Sequence, residues 1–179
     1  PGAPLRVMTY NTHGCIGLDG KLSPERIARV IAACDPDVVA LQELDVARAR
    51  TGHVDQARLI AELLEMEHHF HPSFIIEQER YGNAVLSHFP MRLVRAGVLP
   101  QRGRSEPRGV MWVDIEVDGH RLQCFNTHLG LRARERRFQV EALLGGDGLG
   151  HADAAECAIL CADLNAPAHS PICEALSER

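Results

Sequence analysis

Polar residues able to do chemistry recur in this sequence where apolar runs end. Asn11 and His13 follow the run Leu5 to Tyr10, and Gln42 and Glu43 close the run Asp37 to Gln42. Asn126 and His128 close Arg121 to Asn126, and Asp163 and Asn165 follow Ala158 to Leu160. Three of these four pairs are spaced i, i+2, so in an extended chain each pair projects to one side. The set holds two carboxylates, three asparagines and two histidines, with no Cys-x-x-Cys spacing in the chain. Such an oxygen-rich group favours Mg²⁺ or Mn²⁺ over structural zinc. It also suits hydrolysis of a phosphate ester, which needs a cation against the phosphoryl charge, a group to orient water, and donors for the transition state. In that scheme Glu43 holds the metal, Asp163 orients water, and Asn165 and His128 donate to the phosphate.

These residues require strands and helices that bring four distant segments together. A first strand is expected over Leu5 to Tyr10. Ser23 can cap a helix whose first position suits Pro24, with Ile27, Val30 and Ile31 on its buried face. Asp35-Pro36 stops it, and Asp37 to Gln42 is a short apolar strand. Asp55 opens a second helix that buries Leu59, Leu63 and Met66. Ser73 to Ile76, Ala84 to Ser87, Leu93 to Val98, Val110 to Val117 and Arg121 to Asn126 then read as strands, with Asp118-Gly119 a hairpin turn between the last two. A third helix covers Ala133 to Leu144, Gly145 to Gly150 is a glycine-rich loop, Ala158 to Leu160 is a buried strand, and Ser170-Pro171 opens a short final helix. The order implies an α/β protein with mixed sheets and helices packed outside.

With 179 residues and no linker or repeat, the chain reads as a single domain over 1–179. Nineteen basic against twenty-four acidic side chains leave a formal charge of −5, and aromatic residues make up only 4%. Both weigh against a non-specific or base-stacking nucleic-acid binder. No apolar stretch reaches the length of a membrane span. The six cysteines fit free thiols, with Cys157 and Cys161 reading as buried in their apolar run, and thus a reducing, cytoplasmic setting.

Five segments in order resemble the endonuclease/exonuclease/phosphatase superfamily, which is DNase I-like. They are Thr9-Tyr10-Asn11-Thr12-His13, Leu41-Gln42-Glu43, Tyr81-Gly82-Asn83-Ala84-Val85-Leu86-Ser87, Asn126-Thr127-His128-Leu129 and Ala162-Asp163-Leu164-Asn165-Ala166. The resemblance implies a four-layered sandwich of two mixed β-sheets flanked by helices, and a Mg²⁺-dependent phosphoesterase, more a phosphodiesterase than a monoesterase. It implies Glu43 as the main metal ligand, helped by Asn11, with Asp163 activating the nucleophile and Asn165 and His128 binding the scissile phosphate. Arg108, in Glu106-Pro107-Arg108-Gly109, and Asn126 are placed on the substrate side, and Asn83 supports backbone beside it. The substrate class stays open among nucleic acids, phospholipid head groups and inositol phosphates.

Relatives end in a further strand pair with an Asp-His motif, which does not follow Asn165 here. The chain accordingly reads as truncated at its C-terminus and lacking those strands, and the alternative function is a catalytically silent domain used for binding. Three local features read as structural. His68, His69 and His71 suit a surface strand, Arg132, Arg134, Arg136 and Arg137 a solvated helix face paired with Glu135 and Glu141, and Gly145 to Gly150 lacks the lysine of a phosphate loop.

Overall fold

The computed structural model describes residues 4–101, 103–145, 149–152 and 156–178. In chain order the elements are β1 (Val7–Asn11), α1 (Pro24–Cys34), β2 (Val38–Val46), α2 (Gln56–Leu64), β3 (Glu67–Ile76), β4 (Glu79–Ser87), β5 (Met91–Val98), β6 (Gly109–Val117), β7 (His120–His128), α3 (Ala133–Leu144), β8 (Cys157–Asp163) and α4 (Pro171–Ser177). They form two four-stranded sheets, β1-β2-β4-β3 and β5-β6-β7-β8. Both are mixed: β1 is parallel to β2 and β7 to β8, and the other pairs are antiparallel.

The sheets face each other through alternate residues of their strands. Val38, Ala40 and Val85 of the first sheet meet Met111, Val113, Ile115, Leu122, Cys124 and Cys161 of the second. On the outer side of the first sheet, Val39, Leu41 and Leu86 are covered by Ile27, Ala28 and Ile31 of α1 and by Ala57, Ile60 and Ala61 of α2. On the far side, Val110 and Leu129 pack with Val140 and Leu143 of α3 and with residues of α4. Helix, sheet, sheet and helix make the expected sandwich. β2 is apolar without alternation because both of its faces are buried.

Local chemistry sets the helix ends. The Ser23 hydroxyl accepts from the Arg26 amide, and the Asp55 carboxylate accepts from the Arg58 amide. Each helix closes on a left-handed residue, Asp35 and Glu65. Of the expected helix faces, Ile27, Ile31 and Met66 are buried, but Val30, Leu59 and Leu63 are not. Val30 of α1 is exposed, and the buried stripe is Ile27, Ala28 and Ile31. In α2, Leu63 is half exposed while Ala57, Ile60 and Ala61 are buried, so the stripe is turned by one residue toward smaller side chains. Small residues let α2 approach the sheet closely, an advantage that a count of large apolar side chains misses.

Other expectations are corrected at the edges. β8 is the outer strand of its sheet, and Cys157 and Ala158 are exposed where a buried strand was expected. Cys15, Cys124 and Cys161 are buried, but Cys34 and Cys157 are exposed. The histidine cluster lies on β3, also an outer strand, but all three side chains are half-buried and His71 Nε2 is fully buried, so the surface reading holds only for the strand's place in the sheet. Glu135 is buried rather than solvated; the Ser105 hydroxyl donates to it, and Arg136 donates to the Gly130 and Leu131 carbonyls. Of the glycine-rich loop, residues 146–148 lie outside the described residues. No described helix is long and apolar enough to cross a membrane.

Two predictions follow from this packing. Ile60→Ala should lower unfolding free energy by about 2–4 kcal/mol in urea titrations, while Leu63→Ala should stay within about 0.5 kcal/mol. His71 has a buried, unpartnered Nε2, and burial pushes its pKa below the ordinary 6.5 despite a hydrogen bond with the Gly97 backbone. Below that pH the unfolded chain binds more protons than the folded one, so stability falls as the pH falls. His71→Asn keeps a donor for Gly97 without titrating, and should make the fall in thermal midpoint between about pH 7 and 5 shallower.

Candidate active site

β1, β2, β7 and β8 all run toward the same end of the sandwich, and their inward faces change from apolar to polar as they approach it. Leu122 and Ile115 lie in the apolar part. Further along, Gln42 donates to the Thr9 hydroxyl (3.1 Å) and to Asn126 Oδ1 (2.9 Å). At the end, Asn11, Glu43, His128 and Asp163 converge.

A bulge in β2 makes that convergence possible. Leu41 pairs with Ala84 and Leu44 with Gly82, so Gln42 and Glu43 together oppose Asn83. Glu43 takes a left-handed φ of 60°, a conformation that costs a non-glycine residue of order 1 kcal/mol. In a regular strand, consecutive side chains point to opposite faces. Here Gln42 and Glu43 both reach toward the second sheet, as their contacts with Asn126 and His128 show. Without the bulge, Glu43 would turn toward the helices.

The carbonyls around the bulge are satisfied from other elements. The Thr12 amide donates to Gln42 O, and the Thr12 hydroxyl lies 3.0 Å from both Gln42 O and Glu43 O. Asn126 Nδ2 donates to Leu41 O (3.0 Å) and Ala84 O (2.7 Å). Asn126 is fully buried and its amide is spent on the two sheets. It therefore lies under the site and does not reach the substrate side where the sequence placed it. Asn83 donates to Gly109 O, behind Arg108, in keeping with support of the backbone. Gly82 is required by close approach, since a Cβ there would collide with the His71 carbonyl.

At the surface of this layer, Asn11 Nδ2 donates to Glu43 Oε1 and to Asp163 Oδ2, each at 2.8 Å. One amide thus holds carboxylates from β2 and β8 together. Burial raises the Asp163 pKa, but the Asn11 amide, the Asn165 backbone N–H and the charges of His128 and Arg108 outweigh it and hold the carboxyl below its ordinary value. His128 is buried, and its Nε2 lies 3.8 Å from both Glu43 Oε1 and Asp163 Oδ2. Desolvation, joined by the Arg108 charge, pushes its pKa down to about 4, against the pull of Asp163 and Glu43. Its ring is neutral at pH 7. Arg108 Nη1 lies 3.2 Å from His128 Nδ1, and Asn165 Nδ2 lies 2.9 Å from His128 Nε2 and donates to Leu129 O at 2.8 Å. Both neighbours of the ring are donors, and a neutral imidazole has one acceptor nitrogen, so the ring accepts from Arg108 or from Asn165 and not from both.

Arg108 is only 6% exposed, pairs with Glu106 at 2.6 Å, and keeps a buried, unpartnered Nε. Arg108 also lies near the Tyr81 hydroxyl, where its charge opposes the rise that burial gives the phenol pKa. The exposed His13 turns its Nδ1 to 3.4 Å from Glu43 Oε2. Asn11, Asp163 and Asn165 line an open cleft of about 760 Å³ beside β1 and β8. All the expected residues except Asn126 thus meet at or immediately behind one surface. Thr12 and Tyr81 belong to it as well. Their motif positions were visible in the sequence, but nothing local marks a hydroxyl that serves a bulge or an arginine.

The donor set suits a hard cation in part. Among the described residues no three His, Cys, Asp or Glu side chains form a ready ligand cluster. Glu43 and Asp163 offer oxygens, whereas Asn11 presents its NH₂ to them and its Oδ1 accepts from the His13 amide (2.9 Å). Asn11 could ligate a cation only with its amide reversed. An open pair of carboxylates fits Mg²⁺, which keeps several waters and is completed by substrate phosphate.

The family model of the endonuclease/exonuclease/phosphatase family matches residues 8–179. The chain belongs to this family. An endonuclease/exonuclease/phosphatase from Beutenbergia cavernae superposes with a TM-score of 0.75 at 28% identity, over 93% of this chain and 49% of that one. The chain thus spans about half the length of that relative. The human nocturnin catalytic domain, with a bound sulfate, gives a TM-score of 0.67 at 20% identity over 97% and 68%. A Bacteroides thetaiotaomicron mannosyl-6-phosphatase gives 0.72 at 18% over 98% and 70%. These last two share the fold. No curated protein sequence matches the chain at a significant level.

The structural role of Asn126 can be measured directly. Asn126→Leu should cost about 3 kcal/mol or more in urea unfolding although it adds apolar volume, because Leu41 O, Ala84 O and Gln42 Nε2 each lose a buried partner. Thr12→Val should cost about 1–2 kcal/mol.

Proposed function

We propose that the protein is a divalent-metal-dependent phosphoesterase acting on phosphodiesters. The observation that carries this reading is the convergence of Glu43 and Asp163 on the neutral His128, whose Nε2 lies 3.8 Å from a carboxylate oxygen of each. Acceptors for a cation and donors for a phosphoryl group then lie side by side on one surface, as hydrolysis of a phosphate ester requires.

In this reading Glu43, with Asn11 reversed, holds Mg²⁺ or Mn²⁺, which would offset charge on the phosphoryl oxygens. Asp163, anionic through its hydrogen bonds, orients water for attack. With Nδ1 accepting from Arg108 and the Asn165 amide turned from the ring toward the substrate, His128 donates from Nε2 to a non-bridging oxygen and Asn165 donates beside it. Arg108 keeps the ring in that tautomer by occupying Nδ1, and its positive charge adds to the field around the phosphate. The −5 charge favours a small substrate over a long polyanion.

Glu43→Gln and Asp163→Asn should each lower kcat for bis(p-nitrophenyl) phosphate by about 10²–10⁴-fold without lowering the thermal midpoint. Mg²⁺ should raise that midpoint in the parent protein and not in Glu43→Gln. Full metal-dependent turnover by Glu43→Gln would sink the proposal, and Mg²⁺ binding without turnover by the parent would favour a binding module.

A further inference from the structure

We infer that Arg50 is a specificity residue that binds a second phosphate on the substrate, beside the one being hydrolysed. The inference rests on the phosphoesterase reading for the place of the first phosphate, but its own basis is a separate group of residues.

Asp45 follows Glu43 by two residues and is completely buried. Arg50 clamps it through two bonds, Nε to Oδ2 at 2.7 Å and Nη2 to Oδ1 at 2.8 Å, and the Thr51 hydroxyl lies 3.2 Å from Oδ2. Arg48 adds a longer contact at 3.4 Å. The two arginines differ in what else they do. Arg48 has a side chain only 17% exposed, also pairs with Glu79, and lies over Phe74 and Tyr81. That is how a structural arginine is used. Arg50 has a side chain 51% exposed, and its other N–H groups make no hydrogen bond among the described residues.

The placement of Arg50 ties it to the site. Its guanidinium lies 5.7 Å from the centre of the Tyr81 ring, and Arg108 lies near the hydroxyl of that ring. Its Nη2 would stand 4.0 Å from a Cβ built on Gly14, in the turn that sets His13 against Glu43. Three arginines therefore surround Tyr81: Arg48 is packed over it, Arg108 is buried against His128, and Arg50 is open at the rim. An arginine already fixed by a bidentate carboxylate has lost most of its side-chain freedom before a ligand arrives. Its free donors form a planar edge suited to phosphate oxygens. A single such group recognises one additional phosphate, which points to a small molecule carrying two.

The test compares thymidine 3′,5′-bisphosphate with thymidine 5′-monophosphate by calorimetry on the full-length protein with Mg²⁺. The parent should bind the bisphosphate about tenfold or more tightly, and Arg50→Gln should bring the ratio of the two Kd values near one. Because that change strands a buried carboxylate, Asp45→Asn/Arg50→Gln is measured beside it, with the same ratio expected. A parent ratio near one, or a ratio that survives in both variants, overturns the inference. Turnover of bis(p-nitrophenyl) phosphate is followed separately: selective binding without turnover would remove the phosphoesterase reading and leave the Arg50 subsite standing.

Discussion

The site depends on one buried irregularity, the bulge at Gln42–Glu43 in the strand between β1 and β4. A bulge interrupts the ladder of an inner strand, and buried carbonyls without partners are costly. Two other segments of the chain meet that cost. Thr12 serves Gln42 O and Glu43 O from the end of β1, and Asn126 serves Leu41 O and Ala84 O from the opposite sheet. The bulge in turn lets two successive residues face the second sheet. One of them, Gln42, joins the sheets through Asn126, and the other, Glu43, becomes the acid of the site. Fold and site share the same hydrogen bonds, so neither can be altered alone.

Above this layer the electrostatics are arranged to keep unlike roles apart. Two carboxylates that would repel each other are held by one neutral amide, which donates to both and carries no charge of its own. The histidine beside them is kept neutral by burial and by a cation on its far nitrogen. A protonated ring would instead pair with the carboxylates and compete with a metal ion for them. Arg108 thus acts on the site through His128, and Glu106 holds Arg108 in turn. The same principle extends outward to Asp45, whose buried charge is balanced by Arg50 at the rim.

Much of this was legible in the chain because the strand ends carry polar pairs after apolar runs. Asn11, Glu43, His128, Asp163 and Asn165 were each marked in that way, and α1 and α3 announce their limits through Ser23-Pro24 and the run ending at Leu144. The misreadings have physical causes. Of the large residues Leu59, Leu63 and Met66 expected to be buried beside α2, Met66 is buried, but size alone does not bury Leu59 and Leu63, and Ala57 and Ala61 are the residues that permit close packing. β8 was taken as buried because its sequence is apolar, but an outer strand can be apolar and still have one open side. Asn126 looked like a ligand because it ends a strand beside His128, yet its amide answers carbonyls that only the opposite sheet supplies.

What the sequence determined by itself is therefore local: the alternation of inward and outward residues, the caps and breaks, and the residue types capable of phosphoryl chemistry. The tertiary structure decided which of them meet. Whether an asparagine faces substrate or a buried carbonyl depends on partners more than eighty residues away, as Leu41 and Asn126 show. The reach of Glu43 into the site depends on a single bulge whose partners are Thr12 and Asn126. Hydrogen bonds and burial at such distances are properties of the assembled sheets, and no local pattern encodes them.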